Sequence, residues 1–405
     1  MFGTGAEASV LLDFGGELRR LGVYDERGLR CVRKVTKAAF VTKKGDVHVN
    51  TTNVSKWAGI VLLLGCSSKP NDNSVGTVAP APPTPSAATP AEQPRTPVVL
   101  AHLKFAPHDI AIDADSVYVT SVDFESQDNS PTDIIKLPKT GGAQTALASR
   151  QMGADGLTVA GGTVYWIVAG DSDQNIPDGV MALSVKGGQP KRVGTTFMFG
   201  DATMAVDAKY AYYGGLRDGA SKLKRLPLAG GAEEEIASHG EGGKDGGIIT
   251  MAVDQKHVYW VAGGSIVSVP LQGGSPTVLV DHQGWGDVWG MASDGSHLYW
   301  TDRGGYKSDE AKTGKVHRVP VDGGPMETIA SGLRGRPWGI AVDDSNAYVV
   351  INADQNGGII KVAKSGGTPT VFVAGQSSPV HLAVDAGFVY WANSGGDYAV
   401  AKAPK

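Results

Sequence analysis

The sequence predicts an all-β fold, a seven-bladed β-propeller of four-stranded antiparallel blades, on three observations. Tyr118, Tyr165, Tyr212, Tyr259, Tyr299, Tyr348 and Tyr390 recur at spacings of 47, 47, 47, 40, 49 and 42 residues. Gly-Gly pairs at 141–142, 187–188, 230–231, 273–274, 323–324 and 366–367 keep the same period. With 56 glycines and 19% charged residues, the composition suits short strands and tight turns better than helices rich in Ala, Glu and Lys. Self-similarity at this period, with four strands per copy, is the mark of propeller blades.

Within a repeat the elements follow in order, and the clearest copy is "WGIAVDDSNAYVVINADQNGGIIKVAKSGGTPTVFVAG" at 338–375. Strand A (339–343) lies nearest the crowded axis and is accordingly small, as in "GIAV", "TMAV", "GMAS" and "HLAV". Asp113, Asp207, Asp254, Asp294, Asp343 and Asp385 end it, where a side chain that bonds its own backbone shapes a short turn. We read these aspartates as structural; repeat two has Ala160-Gly161-Gly162 instead. Strand B (347–351) carries the tyrosine, followed by tryptophan in "TVYWIVAG", "HVYWVAGG", "SHLYWTDRGG" and "FVYWANSGG". Neighbouring strand residues point to opposite faces, so Tyr packs towards one adjoining blade and Trp towards the other. The Gly-Gly pair then joins strand C (359–363) to strand D (369–373) as a hairpin.

The seventh repeat supplies strands at 381–385, 388–392 and 398–403, and no strand D follows. Upstream of the first repeat, "TPVVLAH" (96–102) resembles the strand D segment "SPTVLVDH" of repeat four. Residues 97–101 are therefore expected to complete the last blade, closing the ring and removing its open edges. The propeller spans 97–405.

The upstream region divides into three further segments. Residues 1–40 mix charges without periodicity and read as untranslated or disordered, with translation starting downstream at a residue such as Val41 or Val47. Residues 41–65 read as a signal peptide: Lys43, Lys44 and Lys56 precede the apolar run Trp57 to Leu64. "LLGC" (63–66) resembles the lipobox of bacterial lipoproteins, which implies acylation of Cys66 and export to the cell envelope. Ser67 after the cysteine resembles lipoproteins sent to the outer membrane, where a cell has two. Residues 66–96, rich in Pro, Ala, Thr and Ser, cannot bury enough apolar surface to fold and read as a flexible tether. The only cysteines are Cys31 and Cys66, so the propeller has no disulfide and no cysteine metal site. Without residues 1–65, 27 Lys/Arg stand against 35 Asp/Glu, a mildly acidic balance that gives nucleic acid no basic face.

"LYWTD" at 298–302, with "VYW" elsewhere, resembles the YWTD repeats of low-density-lipoprotein-receptor-type propellers. The resemblance covers 97–405 and implies the fold. The Thr-Asp half occurs only at Thr301-Asp302, and there are seven copies where that family usually has six, so the family's partners are not implied.

In such a ring the A–B and C–D turns share one face, and the longer B–C and D–A loops mark the working face. Three constellations fall on it. His108 in "PHDIAI", with Asp109, and His381 in "VHLAV" enter strand A of the first and seventh blades, neighbours once the ring closes. Two imidazoles and a carboxylate suit a divalent metal or acid–base chemistry, though histidines here can equally bond nearby backbone. Trp285, Asp287 and Trp289 in "DHQGWGDVWG", with Arg334, Arg336 and Trp338 in "RGRPWG", suit a ligand or protein hot spot, unless the rings plug the channel. Asp171, Asp173 and Asn175 follow the first ligand positions of a calcium loop, but Ile176 stands where that loop needs glycine. The sequence has no Walker motif and no G-x-S-x-G elbow.

The leading expectation is thus an exported lipoprotein whose propeller binds a protein or small ligand through its long-loop face, without catalysis and without a cofactor. The first alternative is a metal-dependent lyase or hydrolase using His108, His381 and Asp109, for which seven-bladed lyases offer a fold-level analogy. The second is a structural partner in an envelope complex.

Overall fold

In a computed structural model of the chain, the described residues are 92–405 without 127–130, 171–177, 197–202, 218–219, 241–247, 249, 263, 282–287, 306–311 and 354–355, plus two short upstream strands. Those two, Val23–Tyr24 and Arg30–Cys31, pair antiparallel with Val23 opposite Cys31. The signal peptide, Cys66, nearly all of the tether and the Asp171/Asp173/Asn175 loop lie outside the described residues.

Residues from Val98 onward form seven four-stranded antiparallel sheets. Blade five is typical, with Val288–Ser293 innermost, then His297–Asp302, Gly314–Pro320 and Glu327–Leu333. Blade seven takes Pro379–Val384, Phe388–Asn393 and Ala399–Pro404, and its outer strand is Val98–His102. Val98 pairs with Lys402 and His102 with Ala399, so the expected closure forms. The strand begins one residue later than 97, after Pro97, which has no N–H to give a ladder.

The Tyr-Trp repeat explains how the wedges hold one another. Among the described residues there are seven apolar clusters, and each joins two adjacent blades. Tyr118 of blade one meets Trp166 of blade two; Tyr259 meets Trp300, and Tyr348 meets Trp391, across the later junctions. Each of these six rings is at most 1% exposed. Six of the seven clusters repeat one plan, with Tyr from the earlier blade and an apolar side chain, usually Trp, from the later one; between blades two and three, Tyr213 of the later blade packs with Ile167 and Val180 of the earlier one instead. Burying each such ring contributes roughly 2–3 kcal/mol.

The turn aspartates do two jobs. Asp113 Oδ1 accepts the backbone N–H groups of Asp115 and Ser116 at 2.9 and 2.8 Å, the expected turn geometry. Its Oδ2 accepts the Tyr118 hydroxyl at 2.6 Å. The same pairing joins Tyr212 to Asp207, Tyr259 to Asp254, Tyr299 to Asp294, Tyr348 to Asp343 and Tyr390 to Asp385. A buried phenol needs an acceptor, and the turn supplies it. On this face Lys136, Arg318 and Lys402 also donate to carbonyls of the next blade, Val185, Lys364 and Lys139, at 2.9, 2.6 and 2.7 Å.

Thr301 and Asp302 are both held by hydrogen bonds. Thr301 Oγ1 accepts the Gly290 N–H at 2.9 Å and donates to the Trp338 carbonyl at 2.7 Å, tying blade five to blade six. Asp302 accepts the Gly304 N–H and faces His317 Nε2 at 3.2 Å.

Candidate functional site

The strand A entries converge on the axis at the long-loop face. Asp109, Gly156, Thr203, Thr250, Gly290, Gly339 and His381, one from each blade, line a cavity of about 180 Å³. Each stands nine residues before its blade's tyrosine, so the ring of lining positions is a direct product of the repeat. Small residues dominate because seven strands crowd together here. At Gly290 an added Cβ would lie 2.4 Å from the Trp338 carbonyl oxygen. The residues one step earlier, His108, Asp155, Trp289 and Trp338, form the outer tier.

The cavity has two unlike walls. Blades seven, one and two supply His381, His108, Asp109 and Asp155. His108 Nδ1 is 3.2 Å from Asp155 Oδ1, and His381 Nε2 is 3.7 Å from Asp109 Oδ1. The two imidazole rings are 5.8 Å apart, so ring closure does bring these histidines together. Asp109 is fixed from both sides: its N–H donates to Thr120 Oγ1 at 2.7 Å, and its Oδ2 accepts the Leu157 N–H at 3.0 Å. Asp155 Oδ1 accepts the Gly156 N–H at 2.9 Å.

Electrostatics separates the two carboxyls. Burial works to raise Asp109, but the imidazoles of His381 and His108 and a hydrogen bond with Asp155 outweigh it and hold the group below the usual carboxylate range. Burial and the charge of Asp109 push Asp155 up to about 7, against the opposing pull of His108. Two carboxyls this close disfavour each other's ionisation, which is why Asp155 is raised while Asp109 stays low. The raised group can donate or accept a proton at working pH.

Blades five and six supply the other wall. Trp289 and Trp338, both half-buried, have ring centroids 4.5 Å apart. The Arg303 guanidinium carbon lies 4.3 Å from the Trp289 centroid and 5.2 Å from that of Trp338. That places a cation against both rings at cation–π distance.

Of the expected residues, His108, Asp109, His381, Trp289 and Trp338 meet at this cavity. Arg334, which is exposed, and Arg336 are not among its lining, while Trp285 and Asp287 lie outside the described residues. Asp155 and Arg303 escaped the sequence reading. Counting back ten residues from Tyr165 finds Asp155 at the position that His108 holds in blade one. Nothing in the sequence marks Arg303, because its importance arises from where its guanidinium lies in space, against two indoles.

No family model matches the chain, and no curated protein does. Solved structures are similar in fold. YCF48 bound to D1 peptide shares 10% identity at a TM-score of 0.53, over 78% of this chain and 100% of that one. Hydrazine synthase of Kuenenia stuttgartiensis shares 14% at 0.51, over 73% and 94%. The computationally designed Ika8 protein shares 11% at 0.51, over 76% and 98%. A peptide complex, an enzyme and a designed protein thus share the scaffold, and the fold alone does not assign an activity. The chain is a seven-bladed β-propeller whose chemistry must be read from its own cavity.

Proposed function

We propose that this protein is a binding propeller of the cell envelope, lipid-anchored at Cys66, which takes a small ligand, or a side chain of a protein partner, into its axial cavity. One observation carries the binding reading: a paired tryptophan wall faces a His/Asp wall across a single cavity at the long-loop face. Aromatic faces give area and orientation, and a few convergent polar groups give selectivity. About 180 Å³ is below the roughly 300–1,000 Å³ of drug-sized sites, which favours a small polar compound or one inserted side chain. The "LLGC" stretch supports the anchor.

Thermal shift and tryptophan fluorescence of the full chain against a panel of small amines, carboxylates, sugars and amino acids tests the cavity. At least one compound is expected to raise the melting temperature, with the rise lost in Trp289→Ala and Trp338→Ala. No response, or a response that both variants retain, would overturn the reading. Palmitate labelling abolished by Cys66→Ala is the expected result for the anchor.

The carboxyl pair favours a second reading, a funnel-sited lyase or hydrolase in which Asp155 and Asp109 exchange a proton with substrate. Turnover lost in Asp109→Asn with ligand binding retained would select it.

A further inference from the structure

The geometry points to a divalent transition-metal site formed by His108, Asp109, Asp155 and His381, which clasps the inner rim of the ring at its closing seam. It requires neither that an organic ligand bind nor that the wall be catalytic.

The donor set comes first. One ligand atom each from His108, Asp109 and Asp155 lie within 4.8 Å of one another. Donors about 2.0–2.2 Å from a shared ion stand roughly 3.4 Å apart in a tetrahedron and up to about 4.4 Å apart when opposed. The His108–Asp155 separation of 3.2 Å and the His381–Asp109 separation of 3.7 Å are already of that size. His381 joins this trio through Asp109, and side-chain rotation would complete the set around one ion.

Ligand chemistry narrows the ion. Two imidazoles with two carboxylates suit zinc, manganese, iron or nickel, whereas calcium prefers six to eight oxygens. The carboxylates are well held for the task. Asp109 and Asp155 have side chains only 13% and 14% exposed. The Leu157 N–H fixes Asp109 Oδ2, leaving Oδ1 towards the imidazoles, which is how outer partners orient metal ligands. Beyond the cluster the cavity leaves room for water or a ligand on the ion.

Position supplies the consequence. His381 belongs to Pro379–Val384 of blade seven, His108 and Asp109 to Ala106–Ile112 of blade one, and Asp155 to Asp155–Ala160 of blade two. Blade seven is the one completed by Val98–His102 on its outer edge. An ion at the axis would therefore hold the inner edge of the same seam that this strand holds at the outer edge.

Calorimetric titration of the chelator-treated full chain with ZnCl2, MnCl2 and CaCl2, each alone, tests the assignment. The expected result is one equivalent of zinc or manganese bound, a raised melting temperature, and no comparable response to calcium. Asp155→Asn and His108→Ala should each weaken that binding by more than about tenfold. Their melting in chelator should match the parent, which separates loss of a ligand from loss of fold. Hydrogen exchange should show the Pro379–Val384 amides protected further by the metal in the parent and not in Asp155→Asn. No binding, or binding that both variants keep, would overturn the site. If Asp155→Asn fails to fold, His381→Gln in the same titration decides: unchanged affinity in both His variants would also overturn it.

Discussion

Lys139 of blade one and Asp385 of blade seven, 246 residues apart in the chain, meet at 2.7 Å across the closing seam. Lys139 also lends its carbonyl oxygen to Lys402 of blade seven at 2.7 Å, so one residue is gripped twice. Its side chain is 12% exposed, which keeps water from screening the pair fully. Lys139→Met is expected to cost about 1–3 kcal/mol in urea unfolding, the value of a charge-assisted hydrogen bond. Lys104→Met, over the Phe105 ring, should cost less than about 0.5 kcal/mol.

Removing everything before Leu103 tests the seam from its outer side. The strand Ala399–Pro404 would keep Phe388–Asn393 but lose its outer partner and present unpaired backbone to solvent. Leu100, 6% exposed, would leave the junction cluster of blades seven and one. An open strand edge recruits other chains. Light scattering should show self-association of the truncated chain and a lowered melting temperature, with the longer chain monodisperse under the same conditions.

Gly290→Ala is expected to destabilise by about 1–3 kcal/mol, because the new methyl would press on backbone atoms of Trp338 and Ile340. The same pressure should separate Trp289 from Trp338. A changed near-ultraviolet circular dichroism signal, beyond what unfolding explains, is the expected mark.

Acid should open the ring cooperatively. Burial would raise the Glu233 carboxyl, but hydrogen bonds from Lys224, Thr195 and Tyr213 outweigh it and lower the group from 4.5 to about 2. Asp113, Asp254, Asp294, Asp343 and Asp385 are also lowered, by their tyrosines, turn amides or lysines against the effect of burial. A carboxyl lowered by folding contributes its stability fully above its unfolded value, near 4–4.5, and loses it as pH falls through the folded value. Stability from urea unfolding should be flat in these groups above about pH 5 and fall steeply between roughly pH 4 and 2. Tyr213→Phe, which removes one donor to Glu233, should move that fall to higher pH.

How far the sequence anticipates all this depends on whether a feature belongs to the repeat. Tyr118 and its six counterparts, the turn aspartates and the closing strand recur, so blade count, junction packing and closure are all legible. The site is legible only where the repeat is broken by an unusual residue. His108 and His381 stand out because imidazoles interrupt apolar strand entries. Asp155 looks like one more loop acid until it is aligned on Tyr165. Arg303 depends on the placement of its guanidinium against two tryptophans from blades five and six, which no local pattern specifies. Tyr118 illustrates a subtler gap: its burial is readable from alternation, but the phenol's bond back to Asp113 couples turn and core across five residues.

The first strand enters the ring at the side of the short turns, where the Arg95 N–H donates to the Phe372 carbonyl at 2.7 Å before Val98 joins Lys402. His102, at the strand's other end, pairs with Ala399 towards the opposite side. The chain thus joins the ring from the short-turn side, opposite the mouth with the two indoles.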